Sequence, residues 1–387
     1  MEAYILDDKL RRIDVIDQFE SLIWAERYSA AGDFQMQVRS TVEMKQKLAA
    51  GTRLVTNETD RIMVVENAAD EIDSTGKKLL KVKGPELVSI LNDRVATAAL
   101  VGQTNTTKWE VNDKPGNVCR YVFDQICRNG LLNASDVIPF LHTGSLYPAS
   151  TIAEPAASVD MLLDLATVYD TIKKICDAYN LGFRLTNNLD QTQLYFDIYS
   201  GDDRTTLQTV LPAVVFGPGM DNMTDISEVS DITSYKNVAY VFSQNGAQTV
   251  YADGTDSSVS GLDRRVLMVS ATDITDAAGT VLNSKLQQRG KDELAKHRRT
   301  QALDGTVTKY NSYKYGVDYR LGDLVEMRNS DGAINIMRVT EHISSSDING
   351  DASYPTLVND QFLAPGTWLS GQYNMAWADA TATWATA

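Results

Sequence analysis

A chain of 387 residues with 43% hydrophobic content exceeds what one small core needs, and two to four domains are expected. Its 51 acids against 36 bases leave a net charge of −15, which argues against a tight, sequence-nonspecific nucleic-acid binder, whose balance is the opposite. There is no apolar run of about 18 residues to span a membrane, the acidic start Met1–Asp8 is not a secretory signal, and three cysteines (Cys119, Cys127, Cys176) are too few for a disulfide framework.

Residues 1–96 read as a β-rich first module. Tyr4–Leu6, Arg12–Ile16 and Ser21–Glu26 are short strands, and Phe34–Val38 alternates with period two after a turn at Gly32-Asp33. Met44 and Leu48, four apart, predict a short helix over Thr41–Ala50 that Gly51 ends. Gly84-Pro85-Glu86 opens a second short helix carrying Leu87, Ile90 and Leu91.

From 97 to 225 the pattern is α+β. Ala96–Lys108 is turn-like, and Val118, Val122 and Ile126 predict a helix over Pro115–Asn129, stopped near Gly130. Residues 133–160, with Pro139, Pro148 and Pro155, read as irregular chain. Thr167 is an N-cap with Asp170 at the capping-box position; Ile172, Ile175, Cys176 and Tyr179 form the stripe, and Gly182 is expected to close the helix. Phe183–Leu185 and Gln193–Tyr199 follow as strands around Asn187-Asn188.

Gly217-Pro218-Gly219 breaks the next strand. Asn237–Phe242, Asn245-Gly246 and Thr249–Tyr251 give the strongest local hairpin signal. Arg264–Ser270 is another strand, and Leu282, Leu286 and Leu294 mark a helix near 280–299 whose basic end (Lys296, Arg298, Arg299) complements its dipole. Strands resume at Thr306–Asn311 and Leu321–Met327. After Pro365, the tail holds Trp368, Tyr373, Trp377 and Trp384 with one charge, Asp379. It packs onto its own chain or a neighbour, or it frays.

One hairpin is written twice. A shift of 274 positions carries Ile62, Met63, Val65, Asp73 and Gly76 onto Ile336, Met337, Val339, Asp347 and Gly350. In each copy an alternating run leads to a turn begun by Asp, with Gly supplying positive φ. Upstream stand Thr52–Val55 and Gly322–Val325. Hairpins are common and five matches can arise by chance, but both turns keep one distance from their Ile-Met pair, which favours duplication. The expected architecture is α+β, β-rich and multidomain: a first small antiparallel β-barrel over 1–96, an α+β domain over 97–225, and a second, related β-barrel over 226–271 and 301–364. A helical insertion fills 272–300, and the aromatic tail 365–387.

Chemistry is sparse. His142, His297 and His342 have no metal-ligand spacing, and His-Glu-x-x-His, Gly-x-Ser-x-Gly and the Walker loop are absent. Pro218 removes an N–H that a phosphate cradle would use. Asp202-Asp203 are neighbours in sequence, which does not establish the spatial geometry of a glycosidase pair. The turns Asp347–Asp351 and Asn329–Gly332 lack the full calcium ladder ending in Glu. No catalytic residue, cofactor or metal site is expected, and the chain is not read as an enzyme.

Several phrases, in order, resemble siphophage tail-tip hub proteins, a group of minor tail structural proteins. These are Tyr4–Asp7 with Glu20–Tyr28 and Gly32–Phe34; Gly84–Val88 with Leu91 and Arg94; Gly201–Arg204; Phe216 with Asn222-Met223; Asn237–Val241; and Tyr319–Val325. The likeness spans about residues 1–360. It implies a homotrimeric baseplate hub at the virion's tail tip, whose two related barrels per chain make a pseudo-sixfold ring. Such a hub adapts a sixfold distal tail ring to threefold tip or receptor-binding proteins, meets the tape measure protein, and surrounds the channel for DNA, which it does not bind specifically. Since the chain stops at 387 without the long lysin extension of some hubs, cell-wall hydrolysis is expected from another protein. The alternative is a tail-associated cell-wall hydrolase or carbohydrate-binding module, its site within 97–225. The proposed interchain tail contacts are Trp368, Trp377 and Trp384.

Overall fold

The computed structural model describes residues 1–72, 76–98, 109–188, 190, 192–217, 220, 222–252, 259–307, 313–328, 334–348 and 350–359. The chain divides into two compact units. Unit 1 takes Met1–Cys176, Leu181–Glu228 and Leu303–Val358; unit 2 includes Asp177–Asn180 and Val229–Ala302.

Unit 1 begins with the antiparallel pair β1 (Ala3–Leu6) and β2 (Arg12–Ile16), then the pair β3 (Ser21–Arg27) and β4 (Asp33–Arg39). In β4 the alternation buries Phe34, Met36 and Val38 and leaves Asp33 and Gln35 in solvent. Helix α1 (Val42–Lys47) is capped by Thr41, whose Oγ1 accepts from the Met44 amide at 3.1 Å, and Gly51 follows at φ +93°. Next come β5 (Arg53–Thr56), β6 (Met63–Val64), β7 (Asn67–Ile72), β8 (Lys78–Pro85), a 3₁₀ turn Leu87–Asp93 and β9 (Val95–Ala96). The sheet β2-β1-β5-β6 packs on the inner face of β3, β4 and β8 through a core that includes Ile5, Trp24, Phe34, Met36, Leu54, Met63 and Val82.

The middle of unit 1 holds β10 (Trp109–Asp113), α2 (Pro115–Phe123), β11 (Leu141–His142), β12 (Val159–Leu163), β13 (Ala166–Thr167), α3 (Val168–Tyr179), β14 (Gly182–Asn188), β15 (Gln193–Tyr199) and β16 (Val215–Phe216). Helix α2 runs into a π turn over Asp124–Arg128, and Phe123 stacks on Phe196 of β15 at 3.8 Å. Both faces of β14 and β15 are buried, with apolar side chains such as Phe183, Leu185, Leu194 and Phe196 packed inside. Thr167 caps α3 as expected, its Oγ1 accepting from the Asp170 amide at 2.9 Å. Gly182 does not close α3. Asn180 does, at φ +54°, a conformation its short polar side chain tolerates, while Gly182 is already in β14.

The chain leaves unit 1 through β17 (Met223–Asp231). In unit 2, β18 (Val238–Phe242) lies between β19 (Ala247–Tyr251), antiparallel, and β20 (Val266–Ser270), parallel. Helix α4 (Thr280–Ala295) covers this sheet with Leu282, Leu286 and Leu294 buried. The basic cluster does not lie in the last turn of α4: the helix ends at Ala295, and Arg298 instead donates to the carbonyls of Asp177 and Ala178. Those are orphan acceptors at the end of α3, which a cation satisfies well. The strand Arg264–Ser270 and the helix, assigned from the sequence to 226–271 and 272–300, both fall within this unit.

The chain returns as β21 (Thr300–Val307), β22 (Leu324–Arg328), β23 (Ile334–Asp347) and β24 (Gly350–Asn359). The protein is β-rich with few helices, in keeping with the α+β expectation. No closed barrel forms among the described residues. The strands join one large open sheet in the order β17-β21-β24-β23-β3-β4-β8-β7, with β22 on the first half of β23 and β16 on β22. The join is the antiparallel pairing of Glu341–Asp347 with Arg27–Ser21, a long-range contact that no local pattern encodes.

Gly290 lets α4 approach β18 and β19, since a Cβ there would stand 2.5 Å from Val250 Cγ2 and 3.0 Å from Val241 Cγ2. Helix propensity alone would reward Gly290→Ala by about 1 kcal/mol, but overpacking costs about 1–3 kcal/mol. The substitution is expected to lower the urea midpoint read by far-UV circular dichroism; a raised midpoint would show that the helix can slide away.

Candidate functional site

The two copies of the hairpin phrase occupy matching positions. Ile62, Met63 and Val65 are buried, as are Ile336, Met337 and Val339. Met63 stands opposite Leu54, and Met337 opposite Val325. The Val65 amide donates to the Thr52 carbonyl at 2.8 Å, and its carbonyl accepts from Gly51 at 2.7 Å. Val339 repeats both bonds, donating to Asp323 at 3.0 Å and accepting from Gly322 at 2.8 Å. Gly51 and Gly322 share the left-handed conformation, at φ +93° and +90°, which an L side chain would strain. Further on, Gly76 (φ +85°) lies between β7 and β8, and Gly350 (φ +118°) opens β24 after Asp347. Asp73, Trp368, Trp377 and Trp384 lie outside the described residues.

The large sheet carries the parallel further. Its order reads as two quartets, β3-β4-β8-β7, the first in the chain, and β17-β21-β24-β23, the second, joined at β3 and β23. In each, the repeated run (β23 or β7) is last, the strand after its turn (β24 or β8) precedes it, and two earlier strands complete the set. The segments placed between the copies' elements differ: unit 2 separates β17 from β21, whereas five residues separate β3 from β4.

Phrases far apart in sequence converge where the quartets meet. The Tyr28 ring, just beyond β3, lies over two glycines: a Cβ at Gly182 would stand 2.2 Å from it, and one at Gly322 2.5 Å. A Cβ at Gly201 would be 2.1 Å from the Gly322 carbonyl oxygen. Arg338, 2% exposed, donates to the carbonyls of Ser200 at 2.7 Å and Gly322 at 2.5 Å, and lies 5.5 Å from the Tyr28 ring centroid. Asp323 accepts from the amides of Asp202 and Arg320, both at 2.9 Å, and from Arg204 Nε at 3.2 Å. Burial raises its carboxyl to about 6 despite those donors. Thus Gly201–Arg204 and Tyr319–Val325, separate in the sequence, form one knot.

A second buried group ties the first quartet to the middle of the unit. Arg61 donates to Glu86 Oε1 at 2.6 Å, and Glu86 Oε2 accepts from the Gly32 amide at 2.9 Å. Glu26 accepts from the Tyr315 hydroxyl at 2.9 Å, and burial, only partly offset by Arg61, raises its carboxyl to about 7. Tyr315 stacks on His342 at 3.7 Å; burial lowers that imidazole to about 3, so His342 packs as a neutral ring. Glu26 and Arg338 were not singled out from the sequence. Their only signal was a charge inside an otherwise apolar strand.

A cleft of about 560 Å³ lies along β15, lined by Arg120, Arg128, Ser145, Tyr147, Arg184 and Asp197 among others. Its acids are held by arginines: Glu154 by Arg120, Asp124 by Arg128, and Asp197 by Arg184. Among the described residues no three His, Cys, Asp or Glu side chains converge as metal ligands, and no helix is long and apolar enough to cross a membrane.

The model of the Siphovirus ReqiPepy6 Gp37-like protein family matches residues 2–353. No curated protein matches the chain. Among solved structures, a tail protein from Neisseria meningitidis MC58 is similar over 94% of this chain and 99% of its own, at 13% identity and a TM-score of 0.55. The 43 kDa tail protein of prophage MuSo2 from Shewanella oneidensis is similar over 93% and 98%, at 13% identity and a TM-score of 0.54. At this identity the likeness is one of fold.

Glu26 titrates at an ordinary 4.5 in the unfolded chain and near 7 when folded. Between those values the native state holds the extra proton, so stability falls as pH rises through the window and levels off above it. Glu26→Gln is expected to flatten that fall by about 1–3 kcal/mol, read from urea midpoints at pH 5 and pH 8. Parallel profiles for the two proteins would mean that Glu26 is ionised in the fold.

Proposed function

The chain belongs to the Siphovirus ReqiPepy6 Gp37-like protein family, and from that premise we propose that it is a structural protein of a siphophage tail, without catalysis. More specifically, it is a homotrimeric tail-tip hub, made in the host cytoplasm and carried in the virion. The observation that supports this most is the strand quartet that occurs twice in one sheet. One chain then offers two similar surfaces, and three chains offer six, which suits a sixfold tail ring on one side and threefold tip proteins on the other. The tail proteins from N. meningitidis and S. oneidensis share the fold over nearly their whole lengths.

In this reading the partners are the distal tail ring, the tape measure protein and threefold tip or receptor-binding proteins. DNA passes through the ring without being held, because a net charge of −15 repels a polyanion. The alternative, a cell-wall hydrolase or carbohydrate-binding module, would use the cleft along β15. The arginine pairing of its carboxylates favours the structural reading, since a hydrolase needs one acid able to keep a proton.

The full-length chain, mixed with its phage's distal tail protein, is expected to give particles with three copies of this chain, threefold in images viewed down their axis. The channel wall in such images should be acidic. Particles with any other copy number, or a basic wall, would overturn the hub reading; cleavage of peptidoglycan by the purified chain would favour the alternative.

A further inference from the structure

The small sheet of unit 2 has one covered face and one open one. Helix α4 packs on the side that carries Ala239, Val241, Val250 and Val269, all buried. On the opposite side Tyr240 stands between Thr249 and Met268, and Phe242 between Ala247 and Ser270. Met268 is 79% exposed and Phe242 47%, Val266 is exposed beside them, and Tyr240 is half-buried. None of these side chains is charged. Strand β4 shows what this protein otherwise turns to water, with Asp33 and Gln35 outward. Arg264 stands at the rim of the open face, donating to the Tyr240 hydroxyl at 2.8 Å.

The residues that follow β24 have the same character. Over 365–387 there is one charge, Asp379, in a chain of which 22% is charged. Three of the five tryptophans fall in this stretch, and the other two, Trp24 and Trp109, are buried in unit 1. We propose that residues 365–387 dock their aromatic side chains on the open face formed by Tyr240, Phe242, Val266 and Met268 of the same chain. Such a contact is driven by apolar burial, and it strands no polar group when water leaves. Met268 suits these partners, because its thioether packs well against aromatic rings.

The tether favours this occupant over a second copy. Eighteen residues lead from Asn359, the last of β24, to Trp377, a reach of about 60 Å when extended. A segment carried on the same chain meets the face at an effective concentration on the order of mM, well above that of another copy in dilute solution. The one charge of the tail, Asp379, is opposite in sign to Arg264 at the rim. Left uncovered, the face and the tail would each be an exposed apolar patch of the kind that promotes association; together they cover one another. The docking belongs to the single chain and holds whether or not three chains assemble.

The test uses the full chain with the photo-crosslinker p-benzoylphenylalanine in place of Met268, an apolar aromatic replacement, irradiated in dilute solution. Digestion and mass spectrometry are expected to find it linked to a peptide from 365–387, in a species that keeps the mass of one chain. A species of twice that mass, a link to any other part of the chain, or no link at all would overturn the proposal. A second measurement uses Phe242→Glu combined with Met268→Glu, both at exposed positions, with the far-UV circular dichroism spectrum as the check that the fold is kept. Releasing the tail is expected to shift the tryptophan emission to the red, to make it more open to acrylamide, and to speed chymotrypsin cleavage after Trp368, Tyr373 and Trp377. Trp24 and Trp109 stay buried in both proteins, so the change reports the tail. Emission and cleavage identical to those of the unaltered chain would show that the tail does not lie on this face.

Discussion

Three chain segments meet at Tyr28 with no side chain between them, and the rest of unit 1 depends on that approach. Gly182 begins β14, Gly201 follows β15, and Gly322 precedes β22; each stands where a Cβ would fall within 2.5 Å of the Tyr28 ring or of a neighbouring backbone oxygen. Such distances are far inside van der Waals contact, so a methyl at any of them would have to move a ring or a main chain. The contact fixes the exit of β3 against the entry of the second hairpin. Once Tyr28 is fixed there, its amide donates to the Thr340 carbonyl at 2.9 Å, and β3 runs on alongside β23 as its sheet neighbour.

The consequence is that two quartets which would each form a small independent layer share one sheet. Each keeps its own core: one built on Trp24, Phe34, Met36 and Val82, the other on Phe216, Tyr319, Met327 and Val339. Separate cores with a shared hydrogen-bonded ladder allow long segments to be inserted without disturbing either, because an insertion at a strand connection costs little beyond loop closure. All of Val229–Ala302 leaves and returns through β17 and β21, with its own sheet and its own helix.

Much of the local structure was legible in the sequence, and the reason is periodicity. Strand β4 shows period two, α3 shows a capped 3.6-residue stripe, and β18–β19 carries Asn-Gly between two alternating runs, so each is specified by neighbours in the chain. What could not be read was which strands meet across hundreds of residues. Two closed barrels and one open sheet of two quartets use the same alternating strands, and only the β3·β23 ladder separates them. Gly182 misled because a glycine after a helix looks like its end, whereas its role is to admit a ring from β3. Arg338 and Glu26 were hidden because a lone charge in an apolar strand is equally the mark of an exposed edge.

Those hidden charges also explain how a chain with two similar hairpins keeps them in place. The apolar positions are nearly interchangeable: Met63 for Met337, Val65 for Val339, Leu54 for Val325. The polar ones are not. In the first copy Arg61 needs Glu86, and Glu86 needs the amide of Gly32. In the second, Arg338 needs the carbonyls of Ser200 and Gly322, and Asp323 needs Arg204. A hairpin docked in the other's place would bury Arg338 without its acceptors, and stranding a buried charge costs about 3–5 kcal/mol. That is a large share of the roughly 5–15 kcal/mol that holds a domain together. Apolar burial therefore gives the two copies their common shape, and the few buried charges, each matched to a partner outside the repeat, decide which copy lies against which neighbour.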